Sequence, residues 1–145
     1  MRAAILLILL HAAAWPQDYA QIQKLRDQAK SAFNREMARE KADDCKDAVT
    51  TYDINVCLSK ANDATTTNYK AYTQALRLLL ASQAQPEFDQ AQTAWEQYRK
   101  LQCSAAYALF KGGTIAPSME LSCNLLLMRS HLRELNAIYE TTLNN

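Results

Sequence analysis

The two glycines of this 145-residue chain are neighbours, Gly112 and Gly113, and two of its four cysteines, Cys103 and Cys123, lie on either side of them. Glycine adopts backbone conformations that other residues avoid. A chain that uses glycine nowhere else therefore places its one sharp reversal here. The whole chain is 49% hydrophobic, and it lacks runs in which β-branched and aromatic residues alternate with polar ones. This combination is typical of helices and not of strands.

Apolar residues at spacings of three and four predict four helices, over about 17–42, 50–83, 86–112 and 117–144. Thr50 and Asp53 have the spacing of a capping box at the start of the second helix. The run 65–68 has poor helix propensity and predicts a bend. The first helix should bury Ile22, Leu25, Ala29, Ala32, Phe33 and Met37. The third should bury Phe88, Ala91, Trp95, Tyr98, Ala105, Ala106 and Leu109.

The helix boundaries select one of the three possible cysteine pairings. Two cysteines 12 residues apart on one straight helix would be about 18 Å apart, far beyond disulfide reach. Cys45 and Cys57 flank the cap at Thr50, and Cys103 and Cys123 flank the glycine turn, so an antiparallel hairpin brings each pair level. We therefore predict Cys45–Cys57 and Cys103–Cys123. The expected fold is an all-α antiparallel bundle of two hairpins, each stapled by a disulfide.

The N-terminus is typical of an export signal. Arg2 precedes a short apolar run, and small residues follow at 12–14. We expect a signal peptide over residues 1–14, cleaved after Ala14 or, as the second choice, after Ala20, and a helical domain over 15–145. No cysteine precedes Cys45, so no lipid anchor is expected. Cleavage would remove Arg2 and leave 15 basic and 15 acidic residues, which argues against a nucleic-acid partner.

The stretch 92–123 carries a family pattern: Gln92, Trp95, Tyr98, Arg99, Cys103, then Gly112-Gly113-Thr114, then Cys123. Upstream, Cys45, Thr50, Asp53, Asn55, Cys57 and Tyr69 fit the same pattern. Over about residues 45–135 the chain resembles the LprI-like family of small exported bacterial proteins. Met128 and His131 stand where that family usually has Thr and Arg. The resemblance implies a periplasmic or secreted protein that binds and blocks a lysozyme-type muramidase.

The motif side chains also have structural interpretations. Trp95 and Tyr98 are expected in the core. Arg99, one turn after Trp95, can lie over its ring or pair with a carboxylate of a neighbouring helix. Gln92 is expected to satisfy backbone groups near a turn.

The turn 111–120 is the candidate partner-contact loop, because a turn stapled at its base loses little entropy on binding. Its candidate contacts are Lys111, Thr114, Ser118 and Glu120. The other interpretation is a plain helix–helix turn. We expect no enzyme and no cofactor, because Ser130 and His131 point to different faces of one helix and no phosphate-binding loop occurs. We expect no metal site, because His131 would be the only histidine left after cleavage and the cysteine spacings do not fit a zinc finger. The alternative function is an envelope adaptor that binds another protein without inhibiting lysozyme. The sequence leaves the oligomeric state open.

Overall fold

A computed structural model describes residues 15–145 of the chain, with side chains from residue 18 onward. The signal peptide expected over residues 1–14 lies outside the described residues. Residues 15–145 form helices and no strand, so the all-α prediction is confirmed. The helices are α1 (Trp15–Ala42), α2 (Thr51–Leu79), α3 (Gln85–Ala108), α4 (Ala116–Ile138) and α5 (Glu140–Asn144), with a 3-10 turn at Ser82–Ala84. None of these helices is long and apolar enough to cross a bilayer.

The bundle is built from two hairpins, as predicted. Helix α1 packs along α2, α3 packs along α4, and the hairpins meet mainly where α2 lies against α4. Both predicted disulfides are present: the Cα atoms are 5.7 Å apart in Cys45–Cys57 and 5.4 Å apart in Cys103–Cys123. Cys103–Cys123 therefore joins α3 to α4, whereas Cys45–Cys57 joins the connector that follows α1 to α2.

The main core lies between α1, α2 and α4. Leu25, Ala29 and Ala32 of α1 are buried as the apolar stripe predicts, whereas Ile22 is 38% exposed and falls outside the core. The centre is formed by side chains with no exposed surface, Tyr72, Leu76 and Leu132. A smaller apolar cluster, Leu58, Ala61 and Leu125, lies nearer the first disulfide.

Helix α2 begins as predicted and continues through the segment where a bend was predicted. Thr50 accepts a hydrogen bond from the Asp53 N–H, and the Asp53 carboxylate accepts one from the Thr50 N–H, which completes the capping box. The helix then runs unbroken through residues 65–68. Thr65 and Asn68 are buried and donate hydrogen bonds to a carboxylate of α1, and these bonds compensate for their poor helix propensity.

Helix α3 faces the bundle with a different side from the one predicted. Its inward side consists of Phe88, Gln92, Trp95, Arg99, Cys103 and Ala106. Tyr98 is 53% exposed and Leu109 is 80% exposed, and Ala91 and Ala105 are exposed as well, so the predicted inner face is wrong at these four positions. The helix also ends at Ala108, four residues before Gly112. The connection to α4 is therefore a turn of seven residues, 109–115, which we call the second-hairpin turn.

Candidate functional site

The second-hairpin turn is held by its own backbone. The N–H of Gly113 donates to the carbonyl of Phe110 at 2.9 Å, and the N–H of Lys111 donates to the carbonyl of Ala108 at 3.3 Å. Gly112 has φ of 89°, a conformation that side chains with a Cβ rarely adopt. A Cβ on Gly113 would lie 3.2 Å from the Phe110 carbonyl oxygen. The glycine pair thus has a defined role, since it permits this tight local path.

The turn presents both a cation and apolar groups to solvent. Lys111 and Thr114 are exposed. Phe110 is 40% exposed and Ile115 is 48% exposed. Two of the four candidate contact residues predicted from the sequence therefore lie at the accessible end of the turn.

The other two candidates lie on α4 behind the turn. Ser118 is buried, and its hydroxyl donates to Oδ1 of Asn55 on α2 at 2.6 Å. Ser118 thus fastens the start of α4 to α2, and its buried hydroxyl is less accessible to a partner than Lys111 or Thr114. Glu120 is half-buried, and its backbone carbonyl accepts a hydrogen bond from Asn124 at 3.0 Å.

Four residues of the family pattern converge on one aromatic cluster. The Trp95 ring stacks on His131 with centroids 4.2 Å apart, and on Tyr69 with centroids 5.2 Å apart. The Arg99 guanidinium carbon lies 5.6 Å from the centre of the Trp95 ring, which confirms the predicted cation–π contact. Oε1 of Gln92 accepts a hydrogen bond from the Tyr69 hydroxyl at 2.8 Å. The cluster thus joins α2, α3 and α4.

The predicted partners of these side chains are only partly right. Gln92 was expected to bond backbone groups, but its Oε1 contacts two side chains. It accepts the bond from the Tyr69 hydroxyl, and Nε2 of His131 lies 3.2 Å from it. Arg99 donates to the amide oxygen of Asn124 at 2.6 Å and not to a carboxylate. Trp95 is half-buried and packs against the core, as expected of it, whereas Tyr98 points outward. The convergence of these residues supports a structural role for this part of the pattern. Burial raises the pKa of the Tyr69 hydroxyl well above its ordinary value.

A buried carboxylate on α1 was not predicted from the sequence. Glu36 has no exposed surface, and its two oxygens accept hydrogen bonds from Thr65 at 2.7 Å, Asn68 at 2.9 Å and Nε of Arg129 at 2.8 Å. Burial alone would raise the pKa of Glu36, but the bonds from Asn68, Thr65 and Arg129 outweigh it and lower the pKa below its ordinary value. Glu36 is therefore a charged anchor between both hairpins.

A second carboxylate extends this anchor to the connector between α1 and α2, residues 43–50. Oδ2 of Asp44 lies 2.6 Å from Nη2 of Arg39 and 3.0 Å from Nη2 of Arg129. Arg39 also reaches Glu36 at 3.4 Å. One signal could have revealed the network: Glu36 continues the spacing of Leu25, Ala29 and Ala32, so it is a charge on the apolar stripe.

An open groove of about 520 Å³ lies beside the first disulfide. Its lining includes Asp44, Asp47, Tyr52, Asp53 and Lys60, and none of the predicted contact residues borders it. Its charges are of mixed sign, and Asp44 and Asp53 are already engaged by Arg129 and Thr50. Within the described part of the chain, no three His, Cys, Asp or Glu side chains are grouped to hold a metal ion.

These features define a disulfide-stapled, all-helical protein with a short exposed turn between α3 and α4. A comparison with protein-family models matches residues 42–135 to the family described as Lysozyme inhibitor LprI. Because the match covers more than half of the chain, the protein belongs to this family. Neither the curated proteins nor the solved structures gave a match.

Proposed function

We propose that this protein is exported and that it binds and blocks a lysozyme-type muramidase without catalysing a reaction itself. Membership of the lysozyme-inhibitor family supports the inhibitory role. Two disulfides that involve all four cysteines support an oxidising compartment, the periplasm or the outside of the cell. The expected signal peptide over residues 1–14 supports the same destination.

The observation that carries the contact proposal is the exposure of Lys111 at the end of a turn clamped by Cys103–Cys123. Glycosidases of the lysozyme type cleave between two carboxyl groups in a cleft. An ammonium group presented to that cleft would be attracted to them, and Thr114 would supply a hydroxyl beside it. Phe110 and Ile115 would add apolar contact at the rim.

The rigidity of the turn favours this mode of binding. A flexible loop must lose conformational freedom when it enters a cleft, whereas a turn fixed by backbone hydrogen bonds and a disulfide loses little. The protein has nearly equal numbers of acidic and basic residues, so long-range steering contributes little to association. Affinity would then depend on the local fit of residues 109–115.

The test is a titration of the oxidised protein into muramidase assays with several lysozyme types. We expect inhibition at micromolar protein or below, and Lys111→Glu should weaken it at least tenfold, on the scale of an interface hot spot. Lys70→Glu is the matched control, because Lys70 is equally charged and exposed but lies on α2.

Two results would count against the proposal at different levels. If no lysozyme loses activity, inhibition is wrong and the envelope adaptor becomes the better hypothesis. If inhibition occurs and Lys111→Glu behaves like Lys70→Glu, the inhibitory function stands and the turn is not the contact.

A further inference from the structure

Helix α3 carries a second apolar stripe that faces solvent. It consists of six exposed residues, Ala91, Ala94, Tyr98, Leu101, Ala105 and Ala108. Their spacing alternates strictly between three and four residues, which is the seam of a coiled coil. We call this stripe the α3 seam. It lies beside the side of α3 that faces the bundle, so the helix is apolar on two faces.

Exposed apolar side chains are concentrated in and just after the seam. Among the described residues, six of the fourteen large hydrophobic side chains that are exposed fall between residues 98 and 115. Tyr98 is 53% exposed and Leu101 is 64% exposed, although each lies in the middle of a 24-residue helix. Contiguous exposed apolar surface of this kind marks an association site.

The order of residues in the seam makes it complementary to itself. Reading from either end gives two alanines, one large side chain, a second large side chain and two alanines. If a second copy lies antiparallel across the midpoint, Tyr98 packs against the partner's Leu101, and Ala94 lies against the partner's Ala105. The reciprocal contacts follow from two-fold symmetry, as an isologous interface requires. The alanines at both ends let the helix axes approach closely.

Charge at the two ends of the seam favours the same direction. Glu87 lies before the seam and Lys111 lies after it, at nearly equal separations along the sequence from its midpoint, and both are exposed. An antiparallel arrangement brings Glu87 next to the partner's Lys111, whereas a parallel arrangement brings like charges together. The residues that flank the seam on one side, Gln90, Gln97 and Ser104, are uncharged and create no repulsion between copies.

We propose that two copies of this protein pair through the α3 seam in antiparallel orientation. The dimer carries its two second-hairpin turns at opposite ends of the paired helices. The α3 seam spans 18 residues of one helix, and four of its six side chains are alanines, so we expect a small interface and a dissociation constant in the micromolar range. The dimer does not depend on the proposed inhibition of lysozyme, since it rests on the seam alone.

The first test is sedimentation equilibrium of the oxidised protein over roughly 1 to 200 µM, which spans the expected dissociation constant. The wild type should pass from monomer to dimer. Leu101→Lys should remain monomeric throughout. Its urea midpoint should equal that of the wild type at a concentration where both are monomeric, because the side chain is exposed. Leu126→Lys on α4 is the matched control, since Leu126 is 61% exposed, and it should dimerise like the wild type. A monomeric wild type, or equal loss in both variants, overturns the proposal.

The second test fixes the direction of pairing by charge reversal. Glu87→Lys should raise the dissociation constant about tenfold, because it replaces two attractive contacts with two repulsive ones. The double variant Glu87→Lys/Lys111→Glu should restore the wild-type value. An unchanged or tighter Glu87→Lys dimer, or a double variant no better than the single one, overturns the antiparallel arrangement.

Discussion

Replacing Glu36 with glutamine tests whether a buried charge holds the two hairpins together. Glutamine has nearly the same shape as glutamate but carries no charge and adds two N–H donors. Every observed partner of the Glu36 carboxylate is itself a donor, namely Thr65, Asn68, Arg129 and Arg39. The substituted amide can accept through one oxygen only, so donors that Glu36 satisfies lose their acceptor.

The cost follows from how deeply the pair is buried. The Glu36 side chain has no exposed surface, and the Arg129 side chain is 11% exposed. Removing one member of a buried ion pair leaves the other charge uncompensated and costs roughly 3 to 5 kcal/mol. Arg129 keeps its contact with Asp44, so we expect the lower end, a loss of about 3 kcal/mol in the free energy of unfolding.

Urea denaturation of the oxidised protein measures this loss, provided that the dependence on denaturant is unchanged. The matched control is Glu40→Gln, one turn later on α1. Glu40 pairs with Arg133 on α4, but the two side chains are 33% and 44% exposed. An exposed pair of this kind is worth at most about 1 kcal/mol. A Glu36→Gln protein as stable as the Glu40→Gln protein would refute the reasoning.

The same variant has a predicted pH dependence. The pKa of Glu36 in the folded protein lies below its ordinary value of 4.5. The folded state therefore holds this proton less tightly than the unfolded state does, and the stabilisation is present in full above the ordinary pKa. It is lost as the pH falls through the folded pKa. The difference in unfolding free energy between wild type and Glu36→Gln should be largest near neutral pH and should shrink on acidification.

Two further predictions concern the second hairpin. Replacing Cys103 and Cys123 together with serine should lower the unfolding free energy by about 3 kcal/mol, because their separation of 20 residues sets the chain entropy released. A urea midpoint within error of the wild type would contradict this estimate. Ser118→Ala should cost about 1 kcal/mol, since it removes the bond to Asn55, and should leave lysozyme inhibition unchanged. Weaker inhibition by this variant, measured beside Lys111→Glu, would return Ser118 to the contact surface.

The parts of the fold that local geometry decides could be predicted from the sequence. The Thr50 cap and the glycine pair locate two reversals, and each is flanked in the sequence by the two cysteines of one disulfide. Two antiparallel segments place such cysteines side by side, however the rest of the chain folds. The pairing therefore needed no information about how the hairpins pack together.

The inner face of α3 could not be predicted in this way. The helix has an apolar stripe through Tyr98 and Leu101 and another through Phe88 and Trp95, and hydrophobicity does not rank them. The polar residues next to Trp95 on the helix decide which stripe faces the bundle. Gln92 and Arg99 find partners in Tyr69, His131 and Asn124, which come from α2 and α4. Such partners, distant along the chain, are invisible to periodicity.

The same limit explains why Glu36 was missed, and it shows what joins the two halves of the bundle. Both disulfides lie within a hairpin, so neither links one hairpin to the other. The link includes apolar contact between α2 and α4, the Tyr69–Trp95–His131 stack, and the ion pair from Glu36 to Arg129. Apolar packing alone permits some sliding of one helix along another, whereas a buried carboxylate with donors from two other helices is satisfied in one register only. We infer that the disulfides fix each hairpin and that Glu36 fixes how the hairpins dock.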